Sequence, residues 1–153
     1  MKKWIAVPVL ALVASLVPLV GTAQAWPIGQ EGCTPGYWKT HPESWQRFTP
    51  DTTLGEFFTF PAELSAFEDL TFMDALNFQG GDDLSGKTEI LLRAAVAAVL
   101  NMSHHDVDYP YRPYSRPGNV QSTVNLALAS LDGAKIINLA TKLDNANNLG
   151  CPL

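Results

Sequence analysis

Histidines and neighbouring aspartates are the residues of this sequence best suited to hold a metal ion. Two histidines are adjacent and are followed by a D-x-D pair of aspartates, while a third histidine lies far earlier in the chain. Imidazole nitrogen and carboxylate oxygen are ligands that zinc and copper take in proteins. No known metal-site spacing such as H-E-x-x-H is present, so the alternative is loop histidines bonded to the backbone. The candidate ligands are His41, His104, His105, Asp106 and Asp108.

Carboxylates in two loops make calcium another candidate ion. Asp82, Asp83 and Ser85 lie in a glycine-rich loop, and Asp106 and Asp108 form a D-x-D pair. Calcium takes six to eight oxygen ligands, often from one loop, and neither loop has the ligand order of an EF-hand. Capping and turn formation by aspartate are the alternative. The identity of a cofactor stays open.

Aromatic residues on Pro- and Gly-rich stretches form the second kind of candidate site. Tyr offers a large rigid contact area with a polar tip, and Pro-rich extended segments are common recognition surfaces. We therefore predict a surface that contacts a protein or a polysaccharide, with packing into the core as the alternative for each ring. The candidate surface comprises Tyr37, Tyr109, Tyr111, Arg112, Tyr114 and Arg116.

Nucleophilic catalysis is less favoured than a binding role. Ser44 and Ser103 each lie near a histidine in sequence, but a triad assembles in space and G-x-S-x-G is absent. We therefore favour a protein without enzymatic activity and assign no catalytic residue.

The N-terminus predicts export. Two lysines precede an uncharged stretch from Trp4 to Gly21, and a small-x-small cleavage pattern ends at Ala25. These are the parts of a signal peptide in order. We predict a signal peptide over residues 1–25 and a single secreted domain over residues 26–153, with no membrane span after cleavage. An uncleaved anchor is the alternative.

The two cysteines of the chain, Cys33 and Cys151, lie near opposite ends of the predicted domain. Export places them in an oxidising compartment, where a pair of thiols usually forms a disulfide. The chain has no C-x-x-C motif, and two isolated cysteines make a poor zinc site. We therefore predict a structural disulfide that ties down both ends of the domain.

The charge of the chain argues against nucleic acid as a partner. Ten basic and fifteen acidic residues give a net charge of −5, and removal of the leader lysines makes it more negative. Nucleic-acid phosphates attract Lys and Arg, which are the minority here.

Helices are the elements that must position these residues. The stretch from Ile90 to Leu100 is apolar on nearly all faces, which predicts a buried central helix. Valine- and isoleucine-rich alternation is absent, so no sheet is expected. We predict a mainly α fold: a small single-domain helical bundle with irregular Pro-, Gly- and aromatic-rich segments, stapled by one disulfide. Predicted helix caps are Ser85, Asn119 and Asp132, and T-x-x-[ED] patterns at Thr53 and Thr71 predict capping boxes.

The segment Gly32–His41, with the sequence G-C-T-P-G-Y-W-K-T-H, resembles a motif of secreted and cell-surface bacterial proteins. That motif is G-C-T-P-G-[YF]-W-K-x-H, and further likeness follows at 92–98, at 107–111 and in the N-N-x-G-C-P segment Asn147–Pro152. The resemblance covers most of the predicted domain and implies an extracellular context without a mechanism. It also supports the pairing of Cys33 with Cys151, because each lies inside a matching motif.

We therefore expect a secreted, non-enzymatic structural or interaction module at the cell surface or in the extracellular matrix. The alternative is a metal-binding protein, or a metal-dependent enzyme, that uses zinc, copper or calcium. Partner identity, self-assembly and attachment to the cell stay open.

Overall fold

The computed structural model describes residues 29–111 and 119–153, and these residues are mainly helical. Two 3-10 helices, Pro42–Ser44 and Ala62–Phe67, lie between α-helices, and the described residues contain no β-strand. The predicted mainly α fold is therefore confirmed, while the predicted signal peptide lies outside the described residues. In chain order the α-helices are α1 (Pro35–Thr40), α2 (Leu54–Phe57), α3 (Phe72–Asn77), α4 (Leu84–Ser103), α5 (Val120–Ala129) and α6 (Gly133–Asn147).

Helix α4 is the central helix of the domain. It packs against α1, α3, α5 and α6, and every residue from Ala94 to Asn101 is buried. Contact on several sides explains why this stretch is apolar on nearly every face. The N-cap is Asp83, whose carboxylate accepts from Gly86 N–H at 2.7 Å, rather than the predicted Ser85. Asp83 thus has a helix-capping role, which was the alternative to calcium binding in this loop.

Helices α5 and α6 begin at the two caps that the sequence predicts. Asn119 Oδ1 accepts from Ser122 N–H at 2.8 Å, and Asp132 Oδ1 accepts from Ala134 N–H at 2.9 Å. The inward faces of the two helices are fully or almost fully buried. They consist of Val120, Val124, Ala127 and Leu128 on α5 and Ile136, Ala140 and Leu143 on α6.

Phenylalanine rings between residues 48 and 78 fill another part of the core. Phe48 meets Phe57 edge to face with ring centroids 5.5 Å apart, and Phe67 meets Phe78 in the same way at 5.8 Å. Edge-to-face pairs are a favoured aromatic geometry. These rings supply much of the apolar burial in a segment whose helices are short.

One of the two predicted capping boxes forms. At the start of α3, Thr71 Oγ1 accepts from Asp74 N–H at 3.0 Å and the Asp74 carboxylate accepts from Thr71 N–H at 2.9 Å. Thr53 is the N-cap of α2 but its side chain makes no cap hydrogen bond. The second prediction is therefore wrong, and α2 is held instead by backbone bonds such as Leu54 N–H to Leu70 O at 2.7 Å.

The disulfide between Cys33 and Cys151 is present and joins the two ends of the described domain. Beside it, Gly32 N–H donates to Gly150 O at 3.0 Å. Cys33 is fully buried whereas Cys151 is exposed. The predicted pairing is confirmed, and it leaves the protein without a free thiol.

A buried network of amides lies beneath the disulfide. Asn147 Oδ1 accepts from Tyr109 Oη–H at 2.7 Å and from Asn101 Nδ2–H at 3.0 Å. Trp38 Nε1–H donates to Asn101 Oδ1 at 3.2 Å, and Asn147 Nδ2–H donates to Ala94 O at 2.9 Å. Each polar group is partnered by another, as burial away from water requires.

Candidate functional site

The end of α4 positions His104. This residue is the C-cap of the helix, and its ring packs against the indole of Trp38 with centroids 5.9 Å apart. The residue is only 8% exposed. Burial lowers the pKa of His104, and the Asp106 carboxylate offsets this only in part. The neutral ring, which carries a lone pair for a metal ion, is therefore favoured.

His104, His105 and Asp106 form what we call the histidine cluster. One ligand atom from each of the three lies within 4.8 Å of the other two. The imidazole rings are parallel within 3°, with centroids 5.4 Å apart. Nε2 of His105 lies 3.2 Å from Oδ2 of Asp106, and both side chains are largely exposed. The fold thus brings together three of the five predicted ligands.

Gln46 contacts both histidines of the cluster. Its Oε1 accepts from the backbone N–H of His105 at 3.2 Å and lies 2.9 Å from Nδ1 of the same residue. The amide Nε2 of Gln46 lies 3.2 Å from Nε2 of His104. The sequence did not indicate Gln46, because a polar residue 58 positions from its partner is placed by the fold alone.

His41 and Asp108 are held elsewhere. The His41 ring stacks on Tyr37 with centroids 4.3 Å apart, and its Nδ1 lies 3.0 Å from Tyr37 O. Asp108 pairs with Glu31, since Asp108 N–H donates to the Glu31 carboxylate at 2.7 Å. Over residues 29–111 and 119–153, the histidine cluster is the one group of three such side chains close enough to share an ion.

The described residues of the predicted tyrosine surface differ in how deeply they are buried. Tyr109 is 5% exposed and burial raises the pKa of its hydroxyl. This corrects the prediction for Tyr109, which belongs to the core because its hydroxyl completes the buried amide network. Tyr37 and Tyr111 are half-buried and pack against the core. The remaining members, Arg112, Tyr114 and Arg116, lie outside the described residues.

The two serines near histidines in sequence are bonded to other groups. Ser103 Oγ–H donates to Val99 O, one turn earlier in α4, at 2.7 Å. Ser44 Oγ accepts from Tyr37 Oη–H at 3.4 Å. Neither hydroxyl is paired with an imidazole, so these contacts supply no basis for a Ser–His catalytic pair.

The outer side of α5 carries an apolar surface that the sequence analysis did not single out. Leu126 is 73% exposed and separates a groove beside Phe60 from a groove beside Leu139 of α6. Lys135 and Lys142 border the second groove. We call these five residues the α5 surface. The signal in the sequence was that Leu126 falls outside the apolar face of its helix.

Comparison with known proteins gave a negative result. No family model, no curated protein and no solved structure matches this chain. Among the described residues, no helix has both the length and the apolar character that crossing a membrane requires. The disulfide indicates an extracytoplasmic location, because such bonds persist in oxidising compartments.

Proposed function

We propose that the protein is secreted, after cleavage of residues 1–25, and acts as a non-enzymatic interaction module at the cell surface or in the extracellular matrix. The disulfide across the ends of the domain suits such a setting, because it limits fraying and opening of the chain. A module of this kind needs a surface that recognises a partner rather than a set of reacting groups.

The observation that carries the proposal is the α5 surface. A single exposed leucine is ordinary in a soluble protein, but Leu126 stands between two grooves. The groove beside Phe60 has a volume of about 590 Å³ and is lined mainly by apolar atoms. An apolar side chain from a partner would gain burial there, since apolar area removed from water is worth about 25 cal/mol per Å².

Charge at the second groove favours a partner that is acidic. Lys135 is paired with Asp132 at 3.8 Å, and no carboxylate among the described residues lies within ion-pair distance of Lys142. We infer that the occupant is a segment of another extracytoplasmic protein with an apolar side chain next to carboxylates. A polysaccharide is less favoured, because sugars stack on exposed rings and the described Tyr and Trp rings are buried or half-buried.

Site-specific crosslinking in the native host tests this proposal. A photocrosslinking amino acid replaces Leu126 in one variant and Leu149 in a control, because Leu149 is also an exposed leucine, at 49%, but lies outside the α5 surface. We expect a discrete covalent adduct from position 126 that Lys142→Glu abolishes. An adduct of twice the monomer mass would mean that the partner is a second copy of this chain and not another protein.

Two results would contradict the proposal. The first is an absence of adduct at position 126, and the second is the same adducts from positions 126 and 149. The intact mass of the exported protein tests the leader separately: we expect a chain that begins at Trp26 and lacks two hydrogens because of the disulfide.

A further inference from the structure

We propose that the histidine cluster binds one divalent transition metal ion that prefers imidazole nitrogen, such as Zn²⁺ or Cu²⁺. The ligands are one ring nitrogen each of His104 and His105 and the carboxylate of Asp106. This activity goes beyond the interaction module proposed above and does not depend on it. Three facts about the cluster carry the proposal: the spacing of the ligand atoms, the contacts of His105 with Gln46 and Asp106, and the hydrogen-bond donors that face His104.

The spacing of the ligand atoms fits a small tetrahedral ion. Two ligands at about 2.0–2.1 Å from a tetrahedral centre lie about 3.3–3.4 Å from each other. His105 Nε2 and Asp106 Oδ2 are 3.2 Å apart, and one ligand atom each of His104, His105 and Asp106 lie within 4.8 Å of one another. The side chains of His105 and Asp106 are largely exposed and can turn toward the ion, and the fourth position stays open to water.

Contacts with Gln46 and Asp106 orient the His105 ring. Gln46 Oε1 accepts from the backbone N–H of His105, which fixes the orientation of the amide. Nδ1 of His105 lies 2.9 Å from that same oxygen and must therefore carry a proton. The other ring nitrogen of His105, Nε2, faces a carboxylate oxygen of Asp106 at 3.2 Å. A metal ion can therefore contact both of these atoms.

Both ring nitrogens of His104 face hydrogen-bond donors. One ring nitrogen faces the amide N–H₂ of Gln46 at 3.2 Å, and the other faces the backbone N–H of Asp106 at 3.3 Å. A neutral imidazole has one acceptor nitrogen, so it satisfies only one of these donors. A metal ion can bind that acceptor nitrogen in place of a long hydrogen bond.

The chemistry of the donors selects a transition ion over calcium. Calcium requires six to eight oxygen ligands, whereas the cluster offers two nitrogens and a single carboxylate. Imidazole suits zinc and copper, and copper binds more tightly to a given site. Gln46 has the role of an orienting residue, because a histidine ligand commonly donates its second N–H to a fixed acceptor.

Titration of the exported, disulfide-bonded protein with Zn²⁺ and, separately, with Cu²⁺ tests the site. The protein is purified without a histidine tag, and binding is followed by calorimetry and native mass spectrometry. We expect one ion per chain. His105→Ala and Asp106→Asn should each weaken binding at least about tenfold, and Gln46→Ala should weaken it about tenfold through loss of ring orientation. The exposure of His105 and Asp106 means that their variants should keep the thermal unfolding midpoint.

His41→Ala and Asp108→Asn are the matched controls, since these residues are of the same types but lie outside the cluster. Both should bind the ion as the unmodified protein does. The proposal is overturned if no ion binds in stoichiometric amount, if His105→Ala binds as tightly as the unmodified protein, or if His41→Ala weakens binding as much as His105→Ala.

Discussion

Asn101, on the central helix, holds Cys33 by both backbone polar groups of that cysteine. Its Nδ2–H donates to Cys33 O at 2.8 Å, and its Oδ1 accepts from Cys33 N–H at 2.7 Å. The two residues are 68 positions apart and both are fully buried. These two hydrogen bonds form a non-covalent clamp on Cys33. The clamp and the disulfide are therefore separate restraints on the same residue.

Asn101→Ala should lower the free energy of unfolding by at least about 3 kcal/mol. The change leaves the backbone N–H and C=O of Cys33 and the indole N–H of Trp38 buried without partners, and each such group costs about 1–3 kcal/mol. Urea denaturation measures the loss. Asn145→Ala is the control, because Asn145 is exposed on α6 and should change stability by less than about 0.5 kcal/mol. Equal effects of the two changes would contradict the role of the clamp.

The disulfide should contribute to stability without being needed for the fold. It spans 118 residues, and the chain-entropy model gives roughly 4–5 kcal/mol for a loop of that size. The double change Cys33→Ala and Cys151→Ala should therefore lower the unfolding midpoint strongly. Helical circular dichroism should persist at low temperature, because Asn101 still holds residue 33.

Reduction of the unmodified protein is the companion measurement to that double variant. We expect reduction with dithiothreitol to lower the unfolding midpoint by a similar amount. If the reduced and oxidised forms unfold at the same temperature, the disulfide does not stabilise the domain.

Tyr109→Phe should destabilise the protein by about 1–2 kcal/mol. The change removes the hydroxyl that donates to Asn147 at 2.7 Å and leaves a buried amide oxygen with one partner fewer. Tyr111→Phe is the control, because its half-buried ring packs against Tyr109 with centroids 5.8 Å apart. Thermal unfolding is measured for both variants. If Tyr109 were a surface residue, loss of its hydroxyl would leave the stability unchanged.

Local sequence signals were enough to locate most helix starts. Asn119, Asp132 and Thr71 each cap a helix as predicted, since capping depends on a side chain and on N–H groups two or three residues away. The central helix begins two residues earlier than predicted, because Asp83 and Ser85 are both good caps. Thr53 shows the limit of the pattern, as backbone contacts with residues near Leu70 hold that turn instead.

The candidate sites depended on contacts that no local pattern contains. The three adjacent residues of the histidine cluster could be identified from sequence, but Gln46 reaches them only after α1 packs against the end of α4. His41 looked equivalent to the other histidines in the sequence, yet its ring stacks on Tyr37 and does not join the histidine cluster. Tyr109 lies in a polar, Pro-rich stretch and is nevertheless buried, because its partner Asn147 is supplied by α6.

The capping box of α3 should make stability depend on acid pH. The backbone N–H and the hydroxyl of Thr71 donate to the Asp74 carboxylate at 2.9 Å and 2.8 Å, and these bonds lower the pKa of Asp74. In the unfolded chain an aspartate has a pKa of about 3.9. The stabilisation is therefore complete above that value and is lost as the pH falls through the lower pKa of the folded state.

Asp74→Asn should cost about 1 kcal/mol at pH 6, as loss of a helix cap does, and the difference from the unmodified protein should shrink as the pH falls toward 2. Urea denaturation at a series of pH values measures this convergence. Asp69→Asn is the matched control, because Asp69 is an exposed aspartate outside the box and its replacement should leave stability unchanged at pH 6. A constant difference between Asp74→Asn and the unmodified protein at every pH would mean that the carboxylate charge has no part in the cap.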